Sequence, residues 1–223
     1  MRYLLFDADQ TIWDFNATEK IGLGKVFESC FLTSFEEMKD AYMVGNLLCW
    51  KEYEDGLLTL DELEVKRWRL FFDRIGRKDL SAEDAAALFR DALAHNGRML
   101  DGAVEFLESI ADRPKSLVTN GISSIQRQRL KDTGCEKYFE RIFISSEVGY
   151  HKPQKELFDA VLRALGKTGD ECVMIGDSEH SDIQGAVNAG IDSIYLNFSG
   201  KKSEAATWSV SSYDELRNLI RRI

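Results

Sequence analysis

An uninterrupted apolar run near the start of the chain ends abruptly in two carboxylates. Residues 3–6 read YLLF, and Asp7 and Asp9 follow almost at once. A run without a polar break is typical of a strand buried on both faces, as in the parallel sheets of α/β proteins. In such sheets ligands bind at the carboxyl ends of the strands, so the two acidic side chains are placed where chemistry is expected. Carboxylates this close repel each other, and a divalent cation would remove the repulsion.

The rest of the chain alternates short apolar runs with helical patterns, except for one long stretch. Residues 15–96 show helical periodicity throughout, with separate helices predicted at 35–44 and 47–53, and no alternating β-branched run. An all-helical block inside an α/β pattern indicates an inserted cap. We therefore predict a doubly wound, Rossmann-like parallel α/β sheet built from residues 1–14 and 97–223, with a helical cap domain at 15–96. Beyond the first run, strands are predicted at 115–119, 141–145, 172–176 and 192–196.

Charge and cysteine content limit the partners. The formal net charge of −9 argues against binding a nucleic-acid polymer, which requires clustered Lys and Arg. Asp7 and Asp9 interrupt the first apolar run too early for a signal peptide, and no run is long enough to cross a bilayer. The four cysteines are scattered without a C-x-x-C pair, as in reduced proteins. We expect a cytoplasmic monomer or small homo-oligomer with no membrane partner.

Polar residues also follow three of the other predicted strands. Because the carboxyl ends of parallel strands lie on one edge of the sheet, we expect these side chains to meet near Asp7 and Asp9. Taken singly, each has an ordinary explanation as a turn, a solvated loop or a helix cap, and their joint occurrence in this order is what points to chemistry. These residues are Thr119, Asn120, Gly121, Lys152, Asp177 and Asp182.

Four motifs in this order resemble those of the haloacid dehalogenase-like hydrolase superfamily. They are DADQT at 7–11, VTNG at 118–121, KP at 152–153 and GDSEHSDI at 176–183. The helical block matches the cap that this family inserts after its first strand, so the resemblance covers the whole chain. It implies a Mg²⁺-dependent phosphomonoesterase that works through an aspartyl-phosphate intermediate.

The resemblance assigns roles to the reacting and phosphate-binding groups. It implies that Asp7 is the nucleophile and that Asp9 protonates the leaving oxygen and then activates water. The hydroxyl group of Thr119 and the backbone amides around Asn120 and Gly121, just before a predicted helix, suit phosphate oxygens.

The remaining motif residues would balance charge at the site and bind the metal ion. Lys152 would offset the charge of the phosphate and of the nearby carboxylates. The resemblance implies that Mg²⁺ contacts Asp7, the backbone carbonyl group of Asp9 and Asp177, with Asp182 beside these ligands. Mg²⁺ suits such a site because it accepts few carboxylates together with substrate oxygens.

Gln10 stands where the family commonly has glycine. A polar residue here resembles the nucleoside 5′-monophosphatase branch, and a β-carbon is tolerated if the backbone keeps a negative φ. Asp9 argues against a haloacid dehalogenase, because a departing halide needs no proton. We therefore expect a small phosphorylated metabolite, a nucleoside 5′-monophosphate, as the substrate. Two alternatives stay open: a phosphatase for sugar phosphates or phosphoglycolate, and a non-catalytic phosphate-binding regulatory module.

Aromatic residues are frequent in the predicted cap. Trp50 and Tyr53 lie in a segment that resembles nucleotidases for pyrimidine or purine nucleoside monophosphates, and either ring could stack on a base. The other interpretation is that they pack the cap together with Trp68, Phe71 and Phe72. For each single ring we favour packing.

Overall fold

The chain divides into two compact units. The computed structural model describes residues 1–32 and 35–223, and side chains from residue 38 onward in the second helix. One unit comprises Met1–Phe15 with Arg98–Ile223, and the other comprises Asn16–Gly97. None of the helices in the described ranges combines the length and apolar composition that crossing a membrane requires.

The first unit is built on a parallel sheet of six strands in the order β3-β2-β1-β4-β5-β6. The predicted doubly wound parallel sheet is confirmed. Strand β1 lies at the point where the strand order reverses, which is where open α/β sheets bind ligands. The strands are β1 (Tyr3–Phe6), β2 (Lys115–Thr119), β3 (Arg141–Ile144), β4 (Cys172–Gly176), β5 (Asp192–Leu196) and β6 (Trp208–Val210).

The second unit is helical in its described elements. Helix α3 begins with a capping box between Thr59 and Glu62, and Ser81 caps the start of α4 by accepting a hydrogen bond from the Asp84 amide at 3.0 Å. The helices are α1 (Phe15–Ser29), α2 (Phe35–Glu54), α3 (Leu60–Arg74) and α4 (Ala82–His95).

Helix α2 is continuous where the sequence predicted two helices, at 35–44 and 47–53. Gly45 does not end the helix. A β-carbon at this position would lie only 3.2 Å from the Cβ of Leu70 in α3. Its missing side chain instead lets α2 and α3 approach closely.

Aromatic side chains form the interior of the helical unit. The ring of Trp68 lies 5.1 Å from that of Tyr42 and 5.4 Å from that of Phe89. Such contacts between offset or tilted rings add to the stabilisation that burial provides. Trp68, Phe71, Phe72 and Tyr53 are buried. Packing therefore accounts for four of the five aromatic residues considered above, and Trp50 alone among these five is half-buried.

Helices cover both faces of the sheet. Leu4 and Phe6 of β1 lie in one apolar cluster with Phe106, whereas Leu5 lies in another with Leu157. Each such side chain contributes about 1.5–3 kcal/mol on burial, so a strand without polar positions is stable only between two helical layers. The helices of this unit are α5 (Ala103–Ser109), α6 (Ser123–Thr133), α7 (Ser145–Val148), α8 (Lys155–Leu165), α9 (Gln184–Ala189) and α10 (Tyr213–Ile220).

The strands differ from the prediction at two places. Ser145 was expected to end β3, but it begins α7. Strand β6 was not predicted, because three residues are too few to show the two-residue period of a strand.

The turn after β1 holds Gln10 at a φ of +58°. The condition given above for tolerating a β-carbon here, a negative φ, is therefore not met. The turn is tight: the Gln10 amide donates to the Trp13 carbonyl group at 2.8 Å, and the Ile12 and Trp13 amides both donate to the Ala8 carbonyl group at 2.9 Å. A residue with a β-carbon pays about 1–2 kcal/mol for the left-handed conformation, a strain that glycine avoids.

We predict that Gln10→Gly is more stable than Gln10→Ala by about 1 kcal/mol. Both substitutions remove the side-chain contacts of Gln10, but only glycine also relieves the left-handed backbone strain. Urea denaturation of the two variants measures the difference. Equal free energies of unfolding, or a more stable alanine variant, would show that the turn is not strained at this residue.

Candidate active site

Asp7 and Asp177 lie at the carboxyl ends of two neighbouring strands. Strands β1 and β4 pair so that Phe6 is opposite Ile175, and the Asp7 amide donates to the Ile175 carbonyl group at 2.8 Å. Asp182 joins them from the turn after β4. One oxygen from each of the three carboxylates lies within 4.8 Å of the others. The structure thus brings Asp7 together with two acidic residues from a distant part of the sequence.

Lys152 is buried among these acids. Its Nζ lies 2.5 Å from Oδ1 of Asp7, 2.7 Å from Oδ1 of Asp182 and 3.0 Å from the carbonyl oxygen of Val118. Only 1% of its side chain is exposed. All three protons of the ammonium group therefore have an acceptor inside the protein.

Asn120 holds the backbone of Lys152 in place. The Asn120 side chain donates to the Lys152 carbonyl group and accepts from the Lys152 amide, each at 2.8 Å. The Gly121 amide, which we expected to face phosphate, donates instead to the hydroxyl group of Ser145 at 3.1 Å. Ser145, which directly follows β3, thus supplies an acceptor for this amide, and phosphate binding by Gly121 stays a prediction.

Gly176 makes room for Asp182. A β-carbon at Gly176 would lie 2.2 Å from Oδ2 of Asp182, so no other residue fits at the end of β4. The same Oδ2 accepts a hydrogen bond from the Ser178 amide at 3.0 Å. Each oxygen of Asp182 therefore has a donor, the Ser178 amide for one and Lys152 for the other. These two hydrogen bonds fix the turn after β4 beside Lys152.

Burial and crowding shift the pKa values in this cluster. Burial, reinforced by Asp182, Asp177 and Asp9, raises the pKa of Asp7 well above its usual range although Lys152 opposes the shift. Burial, followed by the charge of Asp182, raises the pKa of Asp177 to about 7. Burial works to lower the pKa of Lys152, but the Asp182 and Asp7 carboxylates outweigh it and raise that pKa. The site therefore favours a positive charge and penalises further negative charge.

The donor set fits a small divalent cation. Asp7 and Asp177 offer carboxylate oxygens, which Mg²⁺ prefers, and a single lysine faces three carboxylates. A divalent cation beside Asp7 and Asp177 would neutralise the excess negative charge. Asp182 lies close to this pair, while its oxygens already accept from Lys152 and Ser178.

The carboxylate of Asp9 is held by two residues that sequence reasoning missed. Its Oδ1 lies 2.6 Å from Nη2 of Arg129, and its Oδ2 lies 3.4 Å from Nε2 of Gln126. Nε2 of Gln126 also donates to the Thr119 hydroxyl group at 2.9 Å. A signal was available: residues 126, 129 and 130 share one face of α6, and Leu130 marks that face as buried.

The chain is similar to known hydrolases over most of its length. The family model of haloacid dehalogenase-like hydrolases matches residues 1–190. Pyrimidine 5′-nucleotidase YjjG of Escherichia coli (strain K12) is 34% identical, with 98% of this chain and 97% of the relative covered. Pyrimidine 5′-nucleotidase PynA of Streptococcus pneumoniae (strain ATCC BAA-255 / R6) is 32% identical, covering 100% of this chain and 98% of the relative.

A solved structure agrees closely with this fold. The putative HAD-hydrolase YfnB from Bacillus subtilis, in a crystal form bound to magnesium, superposes with a TM-score of 0.89 at 31% identity. The superposition covers 98% of each chain.

We predict that Asp177→Asn stabilises the protein in excess chelator at pH 8 by about 1–2 kcal/mol. The folded-state pKa of about 7 lies above the ordinary value of 3.8, so stability is fully present below about pH 4 and is lost as the pH rises through about 7. The amide cannot ionise, so this loss should disappear.

Urea denaturation from pH 4 to pH 8 measures this effect. Asp170→Asn, at an acidic residue on the surface of the same unit, serves as the control and should follow the native protein. Parallel stability profiles for the native protein and Asp177→Asn would contradict the prediction.

Proposed function

The chain belongs to the haloacid dehalogenase-like hydrolase family, and from this premise we propose that it is a Mg²⁺-dependent phosphatase of nucleoside 5′-monophosphates. The observation that carries the proposal is the convergence of Asp7, Asp177 and Lys152 at the carboxyl edge of the sheet. Two relatives that cover nearly the whole chain are named pyrimidine 5′-nucleotidases. We therefore infer a preference for pyrimidine nucleotides.

Asp7 is the proposed nucleophile. One of its carboxylate oxygens forms a bond to phosphorus while the bond from phosphorus to the 5′-oxygen breaks, giving an aspartyl-phosphate and a free nucleoside. The contact with Lys152 at 2.5 Å orients the carboxylate, and the Asp7 amide is fixed by β4. Correct orientation of the attacking group lowers the barrier without further cost during the reaction.

Asp9 is the proposed acid and base. In the first step it gives its proton to the departing 5′-oxygen, which would otherwise leave as an alkoxide. In the second step it takes a proton from a water molecule that attacks phosphorus, and the bond between phosphorus and Asp7 breaks. Inorganic phosphate leaves, and both residues return to their starting states.

Phosphate and metal contacts complete the proposal. The Thr119 hydroxyl group and the Asn120 amide, between β2 and α6, would bind phosphate oxygens. The carboxylates of Asp7 and Asp177 and the backbone carbonyl group of Asp9 would hold Mg²⁺, with Asp182 beside them. When bound there, Mg²⁺ supplies positive charge for the phosphate oxygens.

A substrate panel with and without chelator tests the proposal. We expect kcat/KM for phosphate release from uridine, cytidine and thymidine 5′-monophosphates to be at least about tenfold higher than for sugar phosphates or phosphoglycolate. The reason is that a site which binds the base loses those contacts with a substrate that has no base. Excess EDTA should abolish turnover, and added Mg²⁺ should restore it.

Other results of the panel would contradict the proposal in distinct ways. Preference for a sugar phosphate or phosphoglycolate would support the second phosphatase alternative. Binding of phosphate with no turnover of any ester in Mg²⁺ would support a regulatory module. Full activity in EDTA would exclude the metal requirement.

We predict that Asp7→Asn lowers kcat by at least about 10³-fold with the fold intact. The amide is a far weaker nucleophile than the carboxylate and nearly the same size. Phosphate release and thermal unfolding measure activity and folding separately, and Asp159→Asn, at a partly exposed residue of α8, is the control. Near-native activity in Asp7→Asn would exclude Asp7 as the nucleophile.

A further inference from the structure

A buried arginine holds the turn that carries Asp9. The guanidinium group of Arg129 lies 2.6 Å from Asp9 and stacks over the ring of Trp13, 4.2 Å from its centroid. Nη2 of Arg129 and Oδ1 of Asp9 do not have the angles of a hydrogen bond, so their contact is an ion pair. Only 1% of the Arg129 side chain is exposed. A buried charge is expensive unless it is paired, and Asp9 supplies the pairing charge in its ionised form, which is the form left after it has given its proton to the leaving group.

Arg129 touches both ends of the same turn. Asp9 begins it and Trp13 ends it, and the turn is closed by the hydrogen bond from the Gln10 amide to the Trp13 carbonyl group. Because the indole ring fixes the plane of the guanidinium group, the direction of the ion pair to Asp9 is fixed as well.

Gln126 connects this pair to the phosphate-binding end of β2. Its Oε1 accepts from Nη1 of Arg129 at 3.0 Å, which turns its Nε2 toward Thr119 at 2.9 Å and Asp9 at 3.4 Å. Gly121 leaves the space for this amide, since a β-carbon there would lie 3.0 Å from Nε2. Gln126 and Arg129 of α6 are therefore linked to each other, and between them they contact both Asp9 and Thr119.

We propose that Arg129, supported by Gln126, is a positioning residue that aims the Asp9 carboxyl group at the oxygen of the leaving group. The proposal rests on the proposed function, in which Asp9 protonates that oxygen. In this proposal Arg129, which is buried, acts through Asp9 and not on the substrate itself. Without the ion pair, the Asp9 side chain would turn freely and transfer its proton less often in the correct geometry.

Two substrates with different leaving groups separate positioning from a merely structural role. Uridine 5′-monophosphate releases an alkoxide that needs a proton, whereas p-nitrophenyl phosphate releases a stable phenolate that does not. The value of kcat/KM reports the steps up to the departure of the leaving group, so it isolates the action of Asp9 as an acid.

We expect Arg129→Met to lower kcat/KM for uridine 5′-monophosphate by about 10²-fold and for p-nitrophenyl phosphate by less than about fivefold. Asp9→Asn should show the same selectivity, and the double variant should lose little more than Asp9→Asn alone. Arg129→Lys, which keeps the charge, should recover part of the activity toward the nucleotide. Gln126→Met should show a smaller loss of the same kind.

The matched control is Arg113→Met in the same unit. Arg113 is also a buried arginine, and it donates to the Ile220 carbonyl group at 2.5 Å at the amino-terminal end of the sheet. Its loss should lower the thermal unfolding temperature and leave the ratio of the two kcat/KM values unchanged. Gln126→Met keeps the test decisive if Arg129→Met does not fold.

The outcomes distinguish this inference from the proposed function. Equal losses on both substrates in Arg129→Met and Gln126→Met, or no loss on either, would overturn the positioning role while leaving the phosphatase proposal intact. A native protein that turns over neither ester in Mg²⁺ would overturn the proposed function itself, and the positioning role with it.

Discussion

A lysine ammonium group between two buried carboxylates holds the carboxyl edge of the sheet together around Asp7. Taking each of these ions out of water costs several kcal/mol, and close opposite charges with further hydrogen bonds offset that cost. Nζ of Lys152 meets both conditions, because Asp7, Asp182 and the Val118 carbonyl group surround it at 2.5–3.0 Å. Removing one partner leaves a buried charge uncompensated, so Asp7 has a fixed direction only while Lys152 is in place.

Topology explains how much of this arrangement the sequence could predict. Strands β2, β4 and β5 begin and end at the predicted residues, because each contains a short apolar segment that polar or turn residues delimit. The meeting of Asp7 with Asp177 follows from one rule, that the carboxyl ends of parallel strands share an edge. That inference requires no knowledge of side-chain packing. The positions of the motifs at the ends of predicted strands were therefore sufficient to predict that Asp7 and Asp177 meet.

Side-chain partners across the fold were not predictable in the same way. Gln126 and Arg129 lie in the polar run SSIQRQRLKD, which looks like a solvated helix. Only the docking of α6 buries that face and brings Arg129 to a carboxylate 120 residues earlier in the chain. The left-handed Gln10 was missed because its conformation is set by the closure of a turn, which composition alone does not reveal.

The carboxylates around Asp7 carry more negative charge than Lys152 can neutralise, and this affects how a phosphate ester could bind. Lys152 cannot by itself attract a phosphate ester to Asp7, because its charge is already shared between two carboxylates. With Asp177 included, the ionised cluster is negative, and the net charge of −9 on the whole chain gives no compensating field. A phosphate dianion would be repelled at the position it must reach. A divalent cation beside Asp7 and Asp177 would reverse the sign at that position. The charge balance of these side chains thus supports the proposed metal requirement independently of the family resemblance.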